Sequence, residues 1–310
     1  MRRPRLVVVT GPTASGKTAC GIALAQALGG EIVSADSMQV YRHLDIGTAK
    51  PSLEERGLVP HHLIDVADPD ETYHVGRYRD EAATAIAGIL GRGRVPIVVG
   101  GTALYLKALL RGLAEAPGRD ETTRRELEAR WGAGEAASLF EELRRVDPTL
   151  AARLHPNDRV RIVRGLEVWR AVGRPLSVLH AEHRFEERPY DALHLGMELD
   201  RADLYRRIDA RVAAMVSAGW VDEVRRVLAL GYAPGLAPLQ ALGYRQLCAY
   251  ALRGGDLKAL IVTIQQETRR FAKRQMTWFR RMDLAWTDPR APQDAVERAK
   301  NFLQRGFATI

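Results

Sequence analysis

Short apolar runs alternate with longer helix-forming stretches in the first third of the chain. RLVVVT (5–10), EIVSADS (31–37) and RVPIVVGGT (94–102) have the composition of buried strands. Between them, TACGIALAQAL (18–28), which Gly29 and Gly30 terminate, and the alanine-rich RDEAATAIAGIL (79–90) are typical of helices. Strands that alternate with helices predict an α/β fold with a doubly wound parallel sheet, whose ligands bind beyond the carboxyl ends of the strands.

The pattern changes after residue 117. From 118 to 190 the sequence contains helical segments such as DRVRIVRGLEVWRAV and no convincing strand, which predicts an all-helical insertion domain. HLGMEL then predicts a return to strand, and the remaining segments predict a helical C-terminal region. The predicted division is therefore 1–117 for the first part of the core, 118–190 for the insertion, and 191–310 for the return to the core and the C-terminal helices.

The segment between the first strand and the first helix has the G-x-x-x-x-G-K-[ST] pattern of a phosphate-binding loop, called the P-loop below. It comprises Gly11, Pro12, Thr13, Ala14, Ser15, Gly16, Lys17 and Thr18. In this motif the backbone amides and Lys17 bind phosphates, and the Thr18 hydroxyl is a ligand for Mg²⁺. Enzymes that transfer a phosphoryl group normally add a second apolar strand that ends in an acidic residue. This sequence contains no clean example of such a strand, so hydrolysis of a triphosphate is a less favoured function.

Three further positions are candidates for chemistry. Asp36 follows the second strand, so it faces the same crevice as the P-loop and fits either a general base or a magnesium ligand. A helix cap or turn is the alternative for this aspartate. Thr102 offers a hydroxyl after the third strand, where a tight turn is the alternative interpretation. His61 and His62 are more typical of turn or core histidines than of catalytic ones.

The charge of the chain is concentrated in arginine. Net charge is +8, and arginine supplies 40 of the 46 basic residues. The planar guanidinium suits phosphate and nucleic acid, although a biased base composition would give the same excess. The position of the charge must therefore distinguish these two explanations.

A long helix predicted for 257–282 places much of this charge on one face. At about 100° per residue, one face carries Ile261, Ile264, Thr268, Phe271, Gln275, Trp278 and Met282. The remainder carries Arg269, Arg270, Lys273, Arg274, Arg280 and Arg281, and no acidic residue occurs between 269 and 281. Solvated helices usually mix the two signs, so we interpret the basic side as a nucleic-acid-binding face and the apolar side as the docking face.

Composition excludes several classes of protein. No segment approaches the roughly 18 apolar residues of a membrane span, and the N-terminal segment has no signal-peptide pattern. We therefore expect a cytoplasmic protein with no membrane partner. Cys20 and Cys248 are too few for a disulfide framework or a four-ligand zinc site.

The motifs resemble those of the bacterial tRNA dimethylallyltransferase family. The resemblance runs along the whole chain in the order GPTASGKT, SADSMQVYRHLDIGTAKP, HHLIDV, VGGTALYLKALL, DRVRIVRGLEVWRAVGRPLS, ALGYRQ and TRRFAKRQMTWFRR. DIGTAKP and KRQMTWFR are the most specific of these segments. The resemblance implies transfer of a dimethylallyl group from dimethylallyl diphosphate to the exocyclic amine of the adenine adjacent to the anticodon, with release of pyrophosphate. It also explains the missing acidic strand, because no phosphoryl group is transferred.

The same resemblance implies roles for individual residues. The nucleotide-type (ATP-binding) loop would bind the donor diphosphate and Mg²⁺, Asp36 would be the general base, and Lys17 and Thr102 would assist catalysis. Implied tRNA contacts near the reaction centre are Asp36, Ser37, Met38, Gln39, Thr102 and Arg124. Implied contacts on the wider tRNA surface are Val160, Arg161, Ile162, Val163, Arg164, Gln240, Ala241, Leu242, Gly243, Tyr244, Arg245, Lys273, Arg274, Gln275, Met276, Thr277, Trp278, Phe279 and Arg280. The expected partner is the anticodon stem-loop, bound by a monomer.

Two alternatives stay open at this point. A small-molecule kinase of the shikimate-kinase type has a P-loop, an acid near the position of Asp36 and a glycine-rich third strand, but it needs no basic helix. A non-catalytic RNA-binding protein would explain the helix, but not why Gly11, Gly16, Lys17 and Thr18 are all intact.

Overall fold

The computed structural model describes residues 3–305. The chain forms two compact units. The first unit runs to Leu110 and resumes at Pro189, and the second unit is Arg111–Arg188.

The first unit is built on a sheet of six parallel strands in the order β3-β2-β4-β1-β5-β6. The strands are β1 (Arg5–Thr10), β2 (Gly30–Ser34), β3 (His61–His62), β4 (Val95–Gly100), β5 (Asp191–Met197) and β6 (Ala285–Thr287). The predicted α/β fold with a parallel sheet is confirmed. The sequence pattern missed β3 and β6, because strands of two and three residues show no periodicity.

Fourteen α-helices occur in the described residues, together with a 3₁₀ turn at Ala237–Gln240. They are α1 (Lys17–Leu28), α2 (Leu53–Leu58), α3 (Val75–Gly91), α4 (Ala103–Arg111), α5 (Glu121–Gly132), α6 (Ala136–Val146), α7 (Pro148–Ala151), α8 (Arg159–Val172), α9 (Leu176–His183), α10 (Arg201–Ser217), α11 (Trp220–Ala229), α12 (Tyr244–Arg253), α13 (Leu257–Phe279) and α14 (Pro292–Gln304).

Helices cover both faces of the sheet, which explains why its strands are continuous apolar runs rather than alternating ones. The central strand β1 pairs with β4 and β5, and its residues 6–10 are all buried. One face of the sheet packs against a cluster that includes Tyr78, Leu106 and Trp220. The other packs against α1 and α14 through residues such as Leu24 and Ala299.

The second unit consists of α5 to α9 and has its own small core. Leu127, Leu143, Ile162 and Leu166 are fully buried in it. Its carboxylate Glu167 is also buried, at 1% exposure, and accepts the backbone N–H of Asp120 at 2.8 Å. The unit contains no strand within its described residues. Its function as a tRNA-binding insertion stays a prediction.

Candidate functional site

The site lies at the carboxyl edge of the sheet, where three neighbouring strands end. The P-loop follows β1, Asp36 lies two residues after β2, and Thr102 lies two residues after β4. These strands are adjacent and parallel, so their ends converge. Lys17, Thr18, Asp36 and Thr102 all line one cavity of about 340 Å³.

Two cations and one carboxylate set the charge at the P-loop end of this cavity. Burial lowers the pKa of the Lys17 ammonium to about 8, the Asp36 carboxylate opposes this effect, and the nearby Arg211 adds to it. Burial also lowers the pKa of the Arg211 guanidinium, again opposed by Asp36. With both cations charged, Lys17, Arg211 and Asp36 together carry one excess positive charge at this end of the cavity. Such a group favours an anionic ligand.

Asp36 combines a turn function with an available oxygen. Its Oδ1 accepts the backbone N–H groups of Met38 at 2.9 Å and Gln39 at 3.4 Å, which is the capping geometry considered from the sequence. Its Oδ2 accepts no hydrogen bond from the protein groups of residues 3–305. One carboxylate oxygen therefore holds the turn, and the other can accept a proton.

Neighbouring hydrogen bonds fix the rest of this wall. The Thr102 hydroxyl accepts the backbone N–H of Ser37 at 2.9 Å and donates to the Ser37 hydroxyl at 3.3 Å. The Gln39 amide donates to the carbonyls of Thr48 and Ala49 at 3.3 and 3.1 Å. The segments after β2 and β4 are thereby linked directly, so Thr102 is held beside the loop that contains Asp36.

Gln275 of α13 connects the P-loop to the end of β4. Its Oε1 accepts the backbone N–H of Thr13 at 2.9 Å, and its Nε2 donates to the Gly101 carbonyl at 3.0 Å. Both ends of the amide are used within the protein. Gln275 therefore positions the P-loop, and its predicted contact with tRNA stays a prediction.

The remaining wall of the cavity is apolar. Ile208, Val212 and Met215 contribute from α10, Trp220 from the start of α11, and Leu242 from the loop before α12. The cavity thus has a charged end beside the P-loop and an apolar wall, which suits an amphiphilic ligand with an anionic head.

Comparison with known proteins identifies the family. A family model described as IPP transferase matches residues 39–282, and one described as isopentenyl transferase matches residues 4–59. The tRNA dimethylallyltransferase of Geobacter sulfurreducens is 50% identical over 295 residues, which are 95% of this chain and 95% of that protein. The chain belongs to the tRNA dimethylallyltransferase family.

Solved structures agree with this family assignment. The crystal structure of the full-length tRNA isopentenylpyrophosphate transferase from Bacillus halodurans is 37% identical, with a TM-score of 0.72 and coverage of 98% of both chains. A structure of a eukaryotic dimethylallyltransferase acting on tRNA has a TM-score of 0.83 at 28% identity, covering 97% of this chain and 80% of that one. The family predicted from the sequence motifs is confirmed.

The buried positions of helix α13 differ in part from those that the sequence predicts. Ile264 is buried as predicted, but the buried positions nearer the C-terminal end are Ala272 and Phe279. Phe271 and Trp278, predicted for the docking face, are 39% and 36% exposed. The apolar side of the helix is shared between the core and the cavity, which Phe271 lines. Phe279 is fully buried, and its predicted contact with tRNA stays a prediction.

The basic face of α13 is largely solvent-accessible. Lys273, Arg274 and Arg280 are exposed, as is Thr277, whereas Met276 is half-buried. Arg274 lies over the Phe271 ring, 5.7 Å from its centroid. Arg269 instead forms an ion pair with Asp209 of α10. That acid is remote in sequence, so the acid-free run from 269 to 281 could not predict it.

The ALGYRQ segment is partly a cavity wall. Ala241, Leu242 and Tyr244 line the cavity, and Tyr244 is almost fully buried, so its side chain does not reach an external RNA surface. Arg245 is exposed and pairs with Glu267 at 3.5 Å. Gln240 donates to the Pro234 carbonyl at 2.8 Å. Gly243 precedes α12.

The remaining predicted tRNA contacts lie in the second unit. Val160 and Arg161 are exposed, whereas Ile162 and Val163 are fully buried. The contact of this segment with tRNA stays a prediction. Arg124 and Arg164 pair with the buried carboxylate of Glu167, at 3.5 and 3.1 Å. They neutralise this carboxylate as well as presenting positive charge.

Arg211 is a candidate site residue that the sequence interpretation missed. It occurs on α10 among positions with helical spacing, Leu204, Ile208, Val212 and Met215, of which the first three are buried. A charged residue on an otherwise apolar helix face is unusual, and that was the available signal.

His61 and His62 have mainly structural contacts. His62 Nε2 lies 2.7 Å from Glu31 Oε2, and Arg92 donates two hydrogen bonds to the same carboxylate. These Arg92 hydrogen bonds are the main reason that the pKa of Glu31 falls to about 2. His61 Nδ1 bonds the Val59 carbonyl at 2.9 Å, and burial lowers the pKa of this imidazole. The structural interpretation fits His62 best.

Proposed function

We propose that the chain transfers a dimethylallyl group from dimethylallyl diphosphate to the exocyclic amine of the adenine adjacent to the anticodon in tRNA. The products are N6-(dimethylallyl)adenosine and pyrophosphate. One observation carries the proposal: Lys17, Arg211 and Asp36 lie next to an apolar wall in one cavity. The chain that contains this cavity belongs to the tRNA dimethylallyltransferase family. No helix within residues 3–305 is long and apolar enough to cross a membrane. A cytoplasmic location and a monomeric state stay predictions.

The charged end of the cavity would bind the donor diphosphate. The P-loop amides precede α1, whose N-terminus favours an anion. Lys17 and Arg211 add two cations on the cavity wall. They would also stabilise the charge that builds up on pyrophosphate as the bond to the first prenyl carbon breaks.

The Thr18 hydroxyl would be a ligand for a magnesium ion at the P-loop. It lines the cavity next to Lys17, and hard oxygen ligands are those that Mg²⁺ prefers. Residues 3–305 contain no group of three or more His, Cys, Asp or Glu side chains that could hold a metal. Thr18 would therefore supply one oxygen ligand to an ion that neutralises diphosphate charge.

Asp36 would act as the general base. An adenine that has left the stack of the anticodon loop presents a weakly nucleophilic amine. As the amine nitrogen attacks the first prenyl carbon, Asp36 Oδ2 takes one of its protons, while Oδ1 stays bound to the turn. Thr102 keeps the loop in place through Ser37 and would contact the same nucleotide.

The pKa of Lys17 predicts the pH dependence of donor use. Its pKa lies at about 8, so the ammonium is charged below this pH and becomes neutral above it. Because a neutral amine attracts a diphosphate less, kcat/KM for the donor should fall roughly tenfold between pH 7 and pH 9. Steady-state rates across this range, at saturating tRNA, measure the effect.

Lys17→Arg is the matched control for the pH profile. Arginine stays charged throughout the range, so whatever activity this variant keeps should not decline above pH 8. A wild-type profile that stays flat to pH 9 would show that the charge of Lys17 does not control donor binding.

The proposed donor distinguishes this function from that of a kinase. Purified protein incubated with radiolabelled dimethylallyl diphosphate and unmodified tRNA should transfer label to tRNA and release one pyrophosphate for each group transferred. ATP should neither be required nor be consumed, because a prenyl group and not a phosphoryl group moves. Conversion of ATP to ADP in step with product would favour the kinase alternative, and tRNA binding without transfer would favour the non-catalytic one.

A further inference from the structure

The indole of Trp220 lines the part of the cavity that is distant from the P-loop. Ile208 packs with Ala14 of the P-loop, which places that part of α10 beside the phosphate site. Met215 lies seven residues further along α10, about 10 Å away at 1.5 Å per residue. Trp220 follows directly after the helix ends and lines the same cavity. The indole is therefore a wall at the apolar end.

Two glycines from distant parts of the sequence hold this indole in one position. A Cβ atom at Gly47 would lie 2.0 Å from Trp220 Nε1, and one at Gly243 would lie 2.1 Å from Cη2. The Trp220 side chain is only 2% exposed, and the Tyr244 ring packs against it edge-on, at 5.6 Å between centroids. The ring has no room to turn aside for a larger ligand.

The buried carboxylate of Glu223 fixes the segments on both sides of the indole. It accepts the backbone N–H groups of Asp45 at 2.8 Å and Ile46 at 2.6 Å, next to Gly47. It also accepts the hydroxyl of Tyr244 at 2.7 Å, next to Gly243. Glu223 is 2% exposed, so these hydrogen bonds are shielded from water. The wall is therefore rigid and not a flexible lid.

We propose that Trp220 limits the prenyl donor to five carbons by ending the apolar part of the cavity. The inference rests on the proposed function. With the diphosphate at the P-loop and the first carbon beside Asp36, the hydrocarbon tail extends along Val212, Met215 and Leu242 towards the indole. A donor with a second isoprene unit needs the volume that the indole occupies. Trp220 is thus a determinant of donor length.

Trp220→Leu and Trp220→Phe test this inference with dimethylallyl diphosphate and the ten-carbon geranyl diphosphate. We expect the ratio of kcat/KM for the longer to the shorter donor to rise by at least about tenfold, since one methylene alone contributes 10- to 200-fold in an apolar pocket. Trp286→Phe is the matched control. Trp286 lies in β6 and does not line the cavity, so the donor ratio of this variant should equal that of the wild type.

The outcomes separate this inference from the proposed function. Transfer of the five-carbon donor by wild type, with an unchanged ratio in a folded Trp220 variant, would overturn the role of Trp220 and leave the function intact. A higher KM for tRNA with an unchanged donor ratio would also overturn the role of Trp220. It would indicate that the indole contacts the target adenine instead of the donor. Failure of wild type to transfer either donor would instead reject the proposed function.

A measurement on the wild-type protein covers the case in which both variants fail to fold. In protein labelled with ¹⁵N-tryptophan, an unreactive thio-analogue of dimethylallyl diphosphate should shift the indole N–H resonance of one buried tryptophan. The spectrum of Trp286→Phe lacks the Trp286 resonance, so comparison with the wild-type spectrum identifies that resonance and excludes it. Inorganic pyrophosphate should leave the shifted resonance unchanged, because it fills only the charged end. Equal shifts with both ligands, or a shift with neither, would contradict contact between the tail and Trp220.

Discussion

Asp36→Asn is expected to lower turnover by about 10²- to 10⁴-fold, which is the usual contribution of a general base. The amide oxygen can still accept the backbone N–H groups of Met38 and Gln39, so the turn should survive. The amide nitrogen that replaces Oδ2 cannot take a proton. Single-turnover rates with saturating donor and tRNA measure the loss, and tRNA affinity, measured by filter binding, should barely change.

Asp256→Asn is a matched control for this substitution. Asp256 also accepts two backbone N–H groups through one oxygen, from Lys258 at 2.8 Å and Ala259 at 3.2 Å, but it caps α13 outside the cavity. This variant should turn over at nearly the wild-type rate, because asparagine caps helices about as well as aspartate. Near-normal turnover of Asp36→Asn as well would mean that Asp36 only holds the turn.

Replacement of Lys273, Arg274 and Arg280 by glutamine should weaken tRNA binding strongly and reduce its dependence on salt. Each cation that neutralises a phosphate contributes about 0.7 to 0.9 to the slope of log affinity against log salt, so the slope should fall by about 2 to 3. Lys273 and Arg274 on α13 and Arg280 directly after it are all exposed. Arg269 is omitted because it pairs with Asp209 and its loss would disturb the packing of α10. Binding isotherms at several salt concentrations give the slope.

A second triple variant controls for the loss of net charge. Arg79, Arg94 and Lys300 lie on other helices or loops of the first unit, and replacing them by glutamine removes the same total charge. Its salt slope should stay at the wild-type value, and donor binding should be normal in both variants. An unchanged slope in the α13 variant would show that this basic face does not meet tRNA.

The sequence predicted the parts of the site that depend on local patterns. The P-loop, Asp36 and Thr102 each follow a buried strand, and parallel strands bring such ends together. Arg211 could not be placed in the same way, because only the packing of α10 against the P-loop brings it beside Lys17. The position of the Trp220 indole could not be predicted from local patterns either, because Gly47 and Gly243, which are distant in sequence, provide the space for its ring.

Helix α13 shows where periodicity alone is insufficient. Helical periodicity places Phe271 and Trp278 on the apolar face predicted to dock against the rest of the protein. The small side chain of Ala272 and the ring of Phe279 are buried instead. A helix that borders a cavity as well as the core has two partly apolar faces, and a single apolar stripe cannot distinguish them.

The most direct test of the proposed function is the chemical identity of the modified nucleotide. Unmodified tRNA, incubated with the purified protein and dimethylallyl diphosphate, is digested by nucleases and the fragments are analysed by mass spectrometry. The account predicts one added five-carbon unit on the adenine adjacent to the anticodon, and none when dimethylallyl diphosphate is replaced by ATP. Unmodified adenine at that position after complete incubation, or the five-carbon unit on another nucleotide, would contradict it.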